Sequence, residues 1–118
     1  MAHYLITGTS SGIGAALCIR LTQVGHQVSG IARRKGNIGM SAKTPELFYP
    51  YQSDVVNATG LRKTIDMAKS KVGPIDVAIL NAGIYQPQDG TLIDPQIYAN
   101  HMKINYLGVV NALSLIHI

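Results

Sequence analysis

Eight residues, Thr7-Gly8-Thr9-Ser10-Ser11-Gly12-Ile13-Gly14, constrain this chain more than any other stretch. Ahead of them, Tyr4–Thr7 is short and apolar, the pattern of a buried strand. Behind them, Ser11–Val24 reads as a helix, with Leu17, Leu21 and Val24 on one apolar stripe and Gly25 as its C-terminal stop. A glycine-rich bend between a buried strand and a helix leaves unpaired backbone N–H groups at the helix N-terminus, where the helix dipole favours an anion. Gly8 permits the sharp turn, Gly12 lets a phosphate approach the backbone, and Gly14 lets the helix press against the strand. Ser10 and Ser11 add hydroxyl donors. The spacing is G-x-x-x-G-x-G, so it is neither the common G-x-G-x-x-G fingerprint nor a Walker A loop, which needs a following Gly-Lys-Ser/Thr. The expected ligand is a pyrophosphate.

The strand–helix alternation continues. His26–Ala32 holds a second strand around Val28 and Ile31. Arg33–Thr44 is polar and reads as a loop, and Pro45–Tyr51 as a third strand confined by its two prolines. Asn57–Val72 is a helix with Leu61, Ile65, Ala68 and Val72 on one face, ended by Gly73-Pro74. Ile75–Leu80 is an apolar run suited to a strand covered on both faces. Ile84–Thr91 is a loop, and Asp94-Pro95 opens a helix that runs to the chain end. This order predicts an α/β fold, a Rossmann-type doubly wound parallel sheet in strand order 3-2-1-4, of which these residues form the N-terminal half.

Composition removes several classes. The length of 118 residues suits one domain at most, and 47% hydrophobic content excludes wholesale disorder. A single cysteine, Cys18, rules out a disulfide scaffold and reads as packing rather than reactive. No apolar run approaches the roughly 18 residues of a membrane span, and no targeting segment precedes Tyr4, so the expectation is a cytoplasmic protein off the membrane. The net charge of +4 comes from dispersed basic residues, the one tight cluster being Arg33-Arg34-Lys35 without interleaved aromatics. That argues against nucleic acid and for a small anionic ligand. His3, His26, His101 and His117 show no metal spacing and are read as incidental; no metal is expected.

Taken in order, TGTSSGIG, then Asn81-Ala82-Gly83 after a later strand, then Ile104-Asn105-Tyr106 in a following helix, resemble the N-terminal half of a short-chain dehydrogenase/reductase. The resemblance runs from Tyr4 to about Leu113. It excludes the extended branch of that family, which would carry glycine where this chain has Ser11. It implies that Gly8, Ser10, Ser11, Gly12, Ile13 and Gly14 hold the pyrophosphate and neighbouring ribose. Asp54 would receive the adenine amino group, with the Val55 backbone supporting the ring. Asn81, Ala82 and Gly83 would line the ribose, although Leu80 stands where the family usually has a second asparagine. Asn105 would support catalysis by helping to hold a water relay. The parent protein would act on a small-molecule carbonyl or alcohol substrate and be a homo-oligomer.

An NAD-specific site places an acidic residue at the end of the second strand to bind the ribose 2′-OH. Ala32 stands there, followed by Arg33 and Arg34, whose planar guanidinium groups suit a 2′-phosphate. The expected cofactor is NADP (NADPH), with NAD disfavoured. The family's catalytic Ser and Tyr-x-x-x-Lys are absent: none of Tyr4, Tyr49, Tyr51, Tyr85, Tyr98 and Tyr106 has lysine four residues on. The cofactor half is therefore expected to be inactive alone, and the alternative is a non-catalytic NADPH-binding or regulatory module. Leu113–Ile118 is the hexapeptide that CTG TCT CTT ATA CAC ATC, a transposon-derived adapter sequence, would encode. Residues 1–112 are accordingly read as a partial domain and 113–118 as a non-native tail, a reading that genomic sequence running through the hexapeptide would end.

Overall fold

β1 (His3–Thr7) lies inside the sheet because nearly every side chain along it has somewhere apolar to go, its burial pattern having four of five positions closed to solvent. β2 (Gln27–Ala32) pairs with it on one side, His3 opposite Gln27. β4 (Val77–Leu80) pairs on the other, Tyr4 opposite Val77. β3 (Phe48–Gln52) pairs with the far side of β2. All pairs are parallel and the order is β3-β2-β1-β4, as the alternation predicts. The computed structural model describes residues 1–34, 45–91 and 93–116. Of the expected loop over 33–44, residues 35–44 lie outside the described residues, as do the last two of the expected tail.

Helices cover both faces. α1 (Gly12–Gln23) packs over Tyr4, Ile6, Val28 and Phe48, with Cys18 buried among them and Leu17 and Leu21 at the margin. α2 (Ala58–Val72) and α4 (Gly108–Ile116) cover the other face, where Leu5, Ile31, Leu61, Ile65 and Ala112 form the second core cluster. Leu115 and Ile116 also rest against it. Alternation along β1 sends Leu5 to one cluster and Ile6 to the other, which is how a single strand serves two cores.

The structure corrects several expectations. The buried stripe of α1 is Gly14, Cys18 and Thr22, not one centred on Leu17, Leu21 and Val24; Val24 is the C-cap residue and 47% exposed. Gly25 N–H donates to Thr22 O and His26 N–H to Leu21 O, the paired bonds of a Schellman stop. Thr64 takes a buried place on α2, its hydroxyl donating to Gly60 O, while Val72 stays at the margin. Pro45 opens a 3₁₀ turn (Pro45–Leu47) rather than β3, and Pro50 is accommodated because β3 is the sheet edge. β4 starts at Val77 and is half-buried rather than covered on both faces, since among the described residues only β1 flanks it. The last helix is not uniform: α3 (Pro95–His101) passes into a π-helical segment (Met102–Leu107) before α4. The wide turn shifts the phase between the two ends of the rod, so that Asn105 meets one loop and Gly108 another.

Candidate cofactor crevice

The residues after each parallel strand converge on one crevice of about 230 Å³. The end of β1 contributes Gly8, Ser10 and Ser11, and the end of β2 contributes Ile31, Ala32, Arg33 and Arg34. Beyond β3 come Ser53, Asp54 and Val55; beyond β4 come Asn81, Ala82, Gly83 and Ile84, with Ile104 from the π segment closing one side. Strand order places this crevice where the chain reverses direction across the sheet, between β1 with its later neighbour β4 and β1 with its earlier neighbour β2.

The bend is built by close approach. Gly8 N–H donates to Ile31 O at 2.8 Å, and with φ at 75° a Cβ there would stand 2.7 Å from Ala82 Cα. A Cβ on Gly14 would strike the Gly8 carbonyl and lie 2.8 Å from Asn81 Nδ2. The third glycine differs: a Cβ on Gly12 would meet nothing within 4 Å, so its side is open. Ser11 is the N-cap residue of α1 but makes no capping bond with its side chain. By contrast, Asn57 Oδ1 accepts from Gly60 N–H at the start of α2, and Asp94 Oδ1 from Gln96 N–H at the start of α3. α1 therefore starts without a side-chain acceptor from its N-cap residue.

The strand ends are tied to each other. Asn81 Nδ2 donates to Gly8 O at 3.2 Å, and Ala82 N–H to Thr7 Oγ1 at 3.0 Å. Asp54 Oδ1 accepts from Val56 N–H at 3.1 Å in an Asx-turn. Val55 is buried, its carbonyl accepting from Asn111 Nδ2 at 2.8 Å, and a Cβ on Gly108 would collide with its side chain. Arg33 and Arg34 are exposed at the end of β2, and Gln52 Nε2 donates to Arg33 O.

Not every expected residue borders the crevice. Gly12, Ile13, Gly14 and Asn105 are not among its lining: Gly14 is packed beneath the bend, and Ile13 is 71% exposed on the first turn of α1. Asn105 instead grips Ile84, Oδ1 accepting from its N–H and Nδ2 donating to its carbonyl, each at 2.8 Å. Sequence reading missed Ile31, Ser53, Ile84 and Ile104 in the lining, and Gly108 and Asn111 behind Val55. Position directly after β3 was the available signal for Ser53, adjacency to Asn81-Ala82-Gly83 for Ile84, and the Ile104-Asn105-Tyr106 motif for Ile104; Gly108 and Asn111 had none.

Two histidines set aside as incidental hold structure. His3 is 3% exposed, its Nδ1 between the Gly73 and Pro74 carbonyls and its Nε2 2.8 Å from Ser29 Oγ. His101 bridges Ile97 O and Gln86 N–H. Cys18 is buried, and burial pushes its thiol up to about 12, a backbone hydrogen bond partly opposing, so it is a packing residue rather than a nucleophile. No helix among the described residues is long and apolar enough to cross a membrane.

Comparison with known proteins agrees with this geometry. Dehydrogenase/reductase SDR family member 11 of Bos taurus is 37% identical over 70% of this chain and 35% of its own length. A 3-dehydrosphinganine reductase of Arabidopsis thaliana is 31% identical over 94% of this chain and 34% of its own. The solved 3-ketoacyl-(acyl-carrier-protein) reductase of Brucella melitensis, complexed with NADH, superposes with a TM-score of 0.87 at 26% identity, over 96% of this chain and 48% of that one. The chain thus spans about a third to a half of the length of these relatives. The family model for short chain dehydrogenase matches residues 2–117, and the chain belongs to that family.

Proposed function

We propose that this chain forms the NADP(H)-binding half of an oxidoreductase that interconverts a carbonyl and an alcohol by hydride transfer. The observation that carries the reading is the α1 N-terminus: its N-cap Ser11 makes no side-chain capping bond and lines the crevice, and a Cβ on the following Gly12 would meet nothing within 4 Å. The cofactor's diphosphate fits there on backbone amides, with Ser10 and Ser11 beside it. Asp54 would accept from the adenine amino group, and Asn81, Ala82 and Gly83 would wall the ribose. When bound, the nicotinamide supplies or accepts the hydride. The proton for the carbonyl oxygen is expected from a Ser and Tyr-x-x-x-Lys outside these residues, with Asn105 contributing through the loop it grips.

Cofactor choice rests on the end of β2. The Brucella relative was solved with NADH, whereas here Ala32 offers no carboxylate to a ribose hydroxyl and two guanidinium groups follow it. Arg33 and Arg34 would take a 2′-phosphate as bidentate donors. The test is the dissociation constant of the full-length protein for NADPH and NADH. NADPH should bind about tenfold to a hundredfold more tightly, the worth of one or two charge-assisted hydrogen bonds, and Arg33→Ala with Arg34→Ala should erase that difference while sparing NADH. NADH binding as tight as NADPH would refute the preference; binding neither would refute the cofactor reading.

A further inference from the structure

The loop from Ile84 to Gln88 leaves the crevice and crosses the helical rod that ends in α4. Its Tyr85 side chain is 85% exposed. Side-chain hydrogen bonds tie the loop down: Gln88 Oε1 accepts from Asp94 N–H at its far end, and Asn105 and His101 hold the part nearer the crevice. Asn105 binds both backbone groups of Ile84. One helical step earlier, His101 Nε2 lies 3.0 Å from Gln86 N, and its Nδ1 lies 2.7 Å from Ile97 O. A carbonyl oxygen only accepts, so Nδ1 must carry a hydrogen; a backbone N–H only donates, so Nε2 must be bare. The imidazole is thereby confined to one neutral form.

We propose that His101 is a positioning residue, locked as the Nδ1–H tautomer, which fixes Gln86 and so keeps Ile84 in place as a wall of the crevice. The inference rests on the cofactor reading for its functional consequence but not for its geometry. Asn105 pins the first residue of the loop; His101 pins the third, so the segment between them is held at both ends. Ile84 lines the crevice directly, and the ring reaches the bound cofactor only through that loop.

Three measurements on the full-length protein test this. Long-range ¹H–¹⁵N NMR of the His101 ring should show Nδ1 protonated and Nε2 bare; an Nε2–H ring overturns the proposal. In His101→Phe, the Gln86 amide should exchange with solvent about tenfold faster, the loss of one hydrogen bond, while the Leu5 amide keeps its wild-type rate. NADPH binding should weaken several-fold, by about the same free energy or less. His101→Gln places an acceptor where Nε2 sits and should restore both readouts; His101→Asn reaches only the Nδ1 position and should not. Unchanged Gln86 exchange in the phenylalanine variant, or a glutamine variant as impaired as it, overturns the proposal. Wild-type protein that takes up no NADPH defeats the cofactor reading instead, and the ring tautomer and amide exchange still judge the latch.

Discussion

Two helices leave the same edge of the sheet and begin in opposite ways. α2 is closed at its start: Asn57 Oδ1 accepts from Gly60 N–H, satisfying one of the amides that a helix N-terminus leaves over. α1 begins with Ser11, a residue equally able to cap, yet its hydroxyl makes no such bond and Ser11 itself lines the crevice. A cap on α2 is worth about 1 kcal/mol of stability. Forgoing one on α1 leaves donors and the positive end of the dipole free for a ligand. The same element, at the same end of the same sheet, is a structural terminus in one case and a binding surface in the other.

Four substitutions probe that contrast. The largest effect belongs to Gly14→Ala, whose methyl group would meet the Gly8 carbonyl and Asn81 Nδ2 and push α1 off the bend. We expect a loss of about 3 kcal/mol in a denaturant titration, with NADPH binding abolished in whatever folds. Next comes the paired test of the two termini. Asn57→Ala should cost about 1 kcal/mol in stability and leave NADPH affinity unchanged. Ser11→Ala should leave stability within about 0.5 kcal/mol, because no capping bond is lost, and weaken NADPH binding. The reverse pattern would mean that α1 is the ordinary terminus. The smallest effect concerns Thr9, whose buried Oγ1 is without a hydrogen-bond partner among the described residues. It lies next to Gly30, 3.1 Å from where a Cβ there would stand, and Thr9 is not part of the crevice lining. Thr9→Val should raise the melting midpoint, by a stabilisation of up to about 1 kcal/mol, without altering NADPH affinity. A drop in affinity would assign that hydroxyl to the ligand after all.

Much of the architecture was legible because it follows from local pattern. Alternating strands and amphipathic helices allow few parallel arrangements, and the observed order β3-β2-β1-β4 is the expected one. The glycine spacing located the bend to the residue. Periodicity was less exact about which side of a helix turns inward: α1 buries Gly14, where a side chain would strike the Gly8 carbonyl, with Cys18 and Thr22 on the same stripe, and leaves the leucines at the margin. Pro45 and Pro50 blurred β3, since a proline is compatible with a turn, a loop or an edge strand alike.

What the one-dimensional pattern could not contain is pairing between distant residues. Asn81 against Gly8, His3 against Gly73 and Pro74, Asn111 against Val55, and Asn105 against Ile84 each join parts of the chain at least 21 residues apart. Nothing in the neighbourhood of His3 or His101 marks either as an anchor. The π segment is similar: six ordinary helix residues adopt it in a rod that Asn105 and Gly108 fasten to two different loops.

The order of apolar and glycine residues was enough to dictate the fold class, the family's bend and the ends of the strands where a ligand would sit, because those depend on local backbone freedom and on which faces must leave water. Which side chains the folded protein commits to holding the crevice, and which amides it leaves free, was settled only when the sheet brought those strand ends together. A hydrogen bond between remote residues exists only once the intervening chain has closed.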